Sequence, residues 1–184
     1  MLGAGLGIYL YTETRPRPVL DALPPGLAVG DVVLMESHTW RAALVRLIDG
    51  QPHGRGFSHV GVVHDTAPPY TLLHAVPGAG GTVRLEPWPS IAAGGGTSRV
   101  EIWRPRADVD AATLQAIGER LARRAVPFDA DFDHHDPDAL YCTELVTHLY
   151  QGAGAPLLDA DALSVRALFP ADLTDGGALR QVHP

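Results

Sequence analysis

The side chains best equipped for covalent and acid–base chemistry in this 184-residue sequence are one cysteine, Cys142, and nine histidines. A lone cysteine is by default a small buried hydrophobe, so a chemical role for Cys142 needs an activating position and a partner. The position is supplied by Tyr141-Cys-Thr-Glu-Leu-Val146, which follows a polar, proline-containing loop. Its apolar spacing predicts a helix from Cys142 to about Gln151, with Gly152 beyond its end. Cys142 then falls in the first turn, where unpaired N–H groups and the positive end of the helix dipole favour thiolate over thiol.

The partner is sought on strands. His59 interrupts Phe57-Ser-His-Val-Gly-Val-Val63, an otherwise apolar, β-branched run. A second run, Tyr70 to Val76, follows after His64-Asp-Thr-Ala-Pro-Pro69, a loop of turn formers. If this hairpin is symmetric, Val63 faces Tyr70 and His59 faces His74, with Cβ atoms about 5 Å apart. Cys142, His59 and His74 would then serve as nucleophile, general base and the group that orients the base. A β-bulge would shift this register. The backbone N–H of Cys142 is the natural oxyanion donor. Tyr141 is a weak second candidate, since a core aromatic bracing the helix entrance accounts for it equally well.

The elements that must carry these residues follow from periodicity. Asp31 to Met35 reads as a first core strand after Gly30, and Ser37 to Ile48 as a short helix stopped by Asp49-Gly50. Val83 to Leu85 and Arg99 to Arg104 read as further strands separated by a Gly-rich loop. Leu114, Ile117, Leu121 and Ala125 define a helix over residues 110–125, started by Asp110 and ended by Pro127. A short helical piece near Leu163 to Leu168 precedes a loop tail. The expectation is an α+β domain over residues 25–184, a mainly antiparallel sheet packed against the helix bearing the nucleophile, preceded by an N-terminal arm or leader remnant over residues 1–24.

Composition removes other chemistries. Hydrophobic residues make up 46% and charged residues 19%, as in globular domains. All 14 basic residues are Arg, so Schiff-base catalysis, a pyridoxal-phosphate anchor and a P-loop lysine are excluded. A net charge of -7 argues against a nucleic-acid partner. One cysteine forbids an internal disulfide. The apolar start, Met1 to Tyr11, is shorter than the roughly 20 residues of a membrane-spanning helix. No metal is expected: Asp129-Ala-Asp-Phe-Asp-His-His-Asp136 alternates like a calcium loop, but has His134 where Gly is needed and Leu140 where Glu is needed. Gly56 to Gly61 misses the serine-hydrolase elbow spacing by one residue. His38, His53, His64, His148 and His183 lack paired metal-ligand spacing, and surface or loop roles suffice for them.

Four segments together resemble a known family. Gly30-Asp-Val-Val-Leu34, Phe57-Ser-His-Val-Gly-Val-Val63, Val126-Pro-Phe-Asp129 and Leu140-Tyr-Cys-Thr-Glu-Leu-Val146 resemble, in order and spacing, the circularly permuted papain-like amidases of the NlpC-type superfamily, particularly its YiiX-like bacterial branch. The resemblance spans roughly residues 25 to 175. It implies a permuted papain-like fold, a thiol nucleophile at Cys142, His59 as base and no cofactor. The family's third position, often Glu in this branch, falls on His74, as in the Cys-His-His sets of other superfamily members, including the lecithin-retinol acyltransferase branch. The implied substrates are cell-wall peptides or amide-linked acyl groups, in a cell-envelope setting. Acyl transfer through the same residues, or a catalytically silent peptide- or lipid-binding module, are the alternatives.

Overall fold

The computed structural model describes residues 18–39, 56–78, 80–132, 136, 138–158 and 168–184. Its framework is an antiparallel sheet of six strands: β1 (Val32–Ser37), β2 (His59–Asp65), β3 (Thr71–Ala75), β4 (Val83–Pro87), β5 (Thr97–Pro105) and β6 (Leu179–His183). Their order across the sheet is β4-β3-β2-β1-β5-β6. Alternation of side chains gives the sheet two apolar faces. On one, Val32, Leu34, Val60, Val62 and Leu73 pack beneath α2 (Ala111–Arg123) and α3 (Cys142–Gly152). On the other, Val33, Met35, Val63 and Leu72 pack beneath α1 (Trp88–Gly95). A four-residue turn of helix, α4 (Asp172–Asp175), precedes β6.

The expected α+β class and antiparallel sheet are those observed, and several boundaries are too. Asp110 caps α2 as expected, its carboxylate accepting the N–H groups of Ala112 and Thr113. Arg120 and Arg123 stand in the last turn, where cations suit the helix dipole.

Other expectations are corrected. The stretch between β4 and β5 is not simply a Gly-rich loop, because Trp88, Ile91 and Ala92 form a buried i, i+3, i+4 stripe that makes α1. Pro89 opens this helix and Gly96, at a φ of 58°, closes it in the left-handed conformation. The tail beyond 175 is not all loop, since β6 pairs with β5. Ser37 ends β1 rather than starting a helix; the remainder of that expected helix, and most of the expected piece at 163–168, lie outside the described residues. On the arm side of residue 25, Leu23 is buried in the second core and Leu20 exchanges backbone and indole hydrogen bonds with Thr97 and Trp88.

One ion pair clamps the sheet. Asp31, fully buried at the entry to β1, accepts two hydrogen bonds from Arg104 of β5, at 2.6 and 2.7 Å, and one from the N–H of Ala28. The Asp31 hydrogen bonds hold the Arg104 guanidinium above its usual pKa. Replacing Arg104 by Ala leaves a buried carboxylate without its cation, and is expected to cost about 3 kcal/mol in urea unfolding.

Candidate active site

The two strand histidines meet, but not by the expected register. β2 runs on to Asp65, and its pairing with β3 slips between Val63 and Asp65. Gly61, not His59, therefore stands opposite His74. His59, two residues from Gly61 on the same face, is the diagonal neighbour of His74, still within reach of an aromatic side chain. Gly61 leaves room for that approach: a Cβ there would lie 3.3 Å from the Cβ of His74. The rings meet edge to face, with centroids 5.2 Å apart and His59 Nε2 2.9 Å from His74 Nδ1.

A third group completes the line. Glu86 on β4 places Oε2 2.9 Å from His74 Nε2. A carboxylate oxygen only accepts, so His74 carries its proton on Nε2 and presents a bare Nδ1. His59 must then donate to it from Nε2, which leaves the lone pair of His59 on Nδ1. One carboxylate thus fixes both tautomers and frees a basic nitrogen on His59. Glu86 was not singled out in the sequence, because its partnership depends on the register of β3 with β4, in which Leu72 faces Glu86 and His74 faces Arg84.

Burial keeps both imidazoles neutral. Desolvation, reinforced by neighbouring His74, pulls His59 down to about 3. Desolvation, and then the Arg84 guanidinium, hold His74 down to about 4 despite the carboxylate on its Nε2. Because the unfolded chain binds protons on these groups from about pH 6.5 downward and the folded chain does not, stability is complete above that pH and is lost as pH falls toward 4 and 3. The loss between pH 7 and 5 is expected to be about 2 kcal/mol for each histidine. Urea titrations across that range test this, and a His59→Gln, His74→Gln double variant should show a much flatter profile.

Cys142 arrives from the other side. It starts α3 as expected, and Tyr141 and Glu144 form a capping box around that start. Its sulfur lies 3.9 Å from the Thr143 hydroxyl, and the backbone of Val60, Thr143 and Cys142 lies near enough to favour the thiolate. These contacts do favour thiolate, but burial outweighs them and pushes the thiol above its ordinary pKa, which corrects the expectation of a thiol lowered by its helix start. Val63 sends its N–H toward β1, to the carbonyl of Asp31, so alternation turns that of Val60 toward β3. There the β2–β3 pairing ends at Gly61 and His74. Val60, at this opened rim and next after His59, packs in the same core cluster as Cys142. Cys142 belongs to the core under α2 and α3, while alternation sets His59, His74 and Glu86 on the α1 face.

Tyr141 is fully buried, packs against Phe132, and its hydroxyl accepts the N–H of Leu168. His64 is not a surface or loop residue: it is buried on β2, its Nε2 3.9 Å from Glu119. Desolvation holds its pKa below the ordinary value.

No family model matches the chain, and no curated protein does. A solved structure described as the metalloprotein yiiX from Escherichia coli O157:H7, DUF1105, superposes with a TM-score of 0.64 at 18% identity, covering 84% of this chain and 95% of that one. The fold is YiiX-like. At that identity the likeness extends to the fold, and the YiiX-like sheet with its flanking helices is what the two chains share. Among the described residues of this YiiX-like chain, no group of three or more His, Cys, Asp or Glu side chains is placed to hold a metal ion, and no helix is long and apolar enough to cross a membrane. His59 and His74 spend their facing nitrogens on each other, so they do not fit a shared metal.

Proposed function

We propose that this protein is a cysteine hydrolase of the permuted papain-like type, cleaving an amide bond through an acyl-thioenzyme. The observation that carries the reading is the hydrogen-bonded line Glu86–His74–His59, which ends at the residue preceding Val60, a member of the same core cluster as Cys142. A carboxylate that fixes two imidazole tautomers and leaves one ring nitrogen with its lone pair orients the base of a nucleophile–base–orienter set.

The chemistry starts from neutral partners. Sγ of Cys142 attacks the carbonyl carbon as its proton passes to Nδ1 of His59. The tetrahedral intermediate collapses, the C–N bond breaks, and the proton moves from Nδ1 to the leaving amine. Water then adds to the thioester, gives a proton to Nδ1, and the acid leaves as the sulfur is reprotonated. The raised thiol means that proton transfer accompanies attack instead of preceding it, so His59 is required at the chemical step. By resemblance the substrates are cell-wall peptides or amide-linked acyl groups, and the envelope is the expected setting.

The test is direct detection of the intermediate. Incubation with peptidoglycan-derived peptides and with N-acyl amides, followed by acid quench and intact-mass analysis, should give an acyl adduct located on the Cys142 peptide. Product released as free acid supports the hydrolase, and product appearing on an added amine or alcohol acceptor supports acyl transfer. No adduct with either substrate class, under conditions where the thiol can be alkylated, would leave a binding module as the surviving account.

A further inference from the structure

Two side-chain polar atoms among the described residues are buried without a protein partner: Ser58 Oγ and His64 Nδ1. An unpaired buried hydroxyl is costly relative to an apolar group of the same shape, so its persistence calls for an explanation. His64 lies on β2 against Gly118 of α2, away from the start of the strand. Ser58 lies at that start, immediately before His59 and two residues from Val60, which packs in the same core cluster as Cys142. Its backbone is engaged, its N–H donating to the carbonyl of Met35. Its hydroxyl is unmatched. Ser58 and Cys142 are buried to the same degree, 7% and 8% exposed.

We propose that Ser58 is the second oxyanion donor of this site, its hydroxyl supplying a hydrogen bond to the oxygen of the tetrahedral intermediate. The inference rests on the cysteine-hydrolase reading above and names a group that reading lacked; Tyr141 is fully buried in the core, its hydroxyl accepting the N–H of Leu168. A donor held dry and unpaired in the resting protein gains its partner only when the carbonyl oxygen acquires charge. Such a contact lowers the barrier without tightening substrate binding. In the step concerned, the Cys142 Sγ–C bond forms, the carbonyl π pair moves onto oxygen and accepts the Ser58 O–H, and the thiol proton goes to His59. Collapse of that intermediate re-forms the carbonyl and expels the leaving group.

Two thiol probes separate this role from any effect on the cysteine itself. p-Nitrophenyl acetate acylates sulfur through a tetrahedral oxyanion and releases p-nitrophenolate; iodoacetamide alkylates it by displacement of iodide, with no oxyanion. Ser58→Ala is expected to slow acylation about 10²-fold, to leave alkylation within about twofold, and to keep or raise the melting temperature because the removed hydroxyl had no partner. Equal loss of both rates, or no change in either, overturns the assignment. If Ser58→Ala does not fold, Ser58→Thr and Ser58→Val give the same comparison: the proposal requires the Thr variant to acylate faster by a similar factor, and equal rates overturn it. Failure of the wild-type protein to be acylated while Cys142 is alkylated overturns the hydrolase reading itself, and this inference with it.

Discussion

Replacing Cys142 by Ala is expected to lower amide cleavage by at least about 10⁴-fold, the scale on which loss of a nucleophile acts in enzymes with a catalytic unit of this kind. The acyl adduct should vanish with it. The substitution leaves the fold in place, because Cys142 is a small residue in an apolar cluster and Ala removes one sulfur without introducing a polar group. A melting temperature within a few degrees of the wild type, alongside lost turnover, is the combined result expected. Cleavage persisting in Cys142→Ala would remove the thiol from the chemistry, and the sequence contains no other cysteine to replace it.

The second large effect concerns His59. Because the thiol is held above its ordinary pKa by burial, little thiolate forms unaided near neutral pH, and the proposed mechanism makes the rate depend on proton transfer to the imidazole. His59→Ala should therefore lower kcat about 10³-fold with a small change in KM. It should also slow iodoacetamide alkylation near pH 7 and shift reactivity toward alkaline pH. Glu86→Gln serves as the graded companion. Its amide oxygen can still accept from His74, so the tautomers survive, but the charge that raises His59 is gone. A loss of about tenfold in kcat is expected, between the wild type and His59→Ala. The comparison is sharp because His59 and the core of Cys142 belong to opposite faces of the sheet. If the imidazole does not serve the thiol, His59→Ala will leave the alkylation rate and its pH dependence unchanged, and the base must be sought elsewhere.

How much of this was legible in the sequence varies by element. Strand cores and the two long helices announced themselves because their burial is one-sided: Leu114, Ile117 and Leu121 repeat at helical spacing, and Asp110 caps what they begin. The helix α1 was hidden by its composition, since three consecutive glycines, Gly94 to Gly96, mask the Trp88, Ile91, Ala92 stripe before them. β6 was hidden because only Leu179 is buried in it, so an edge strand there has little apolar pattern to read. The closeness of His59 and His74 was anticipated for a reason that needed correcting. They share a face and lie one diagonal apart, so a register error that preserves parity still brings the rings together.

By itself, the sequence determined that the chain offers a single thiol and no lysine, and that Cys142 opens a helix while His59 and His74 share one face of a hairpin. Those facts depend on residue type and on local periodicity, which the chain carries along its length. Tertiary structure decided the rest: that Glu86 ends the histidine line, that Ser58 is left unpaired, and that burial overrides the helix start at Cys142. Each of these depends on which strands become neighbours and how much water they exclude, and neither quantity is set by the spacing of residues within any one segment.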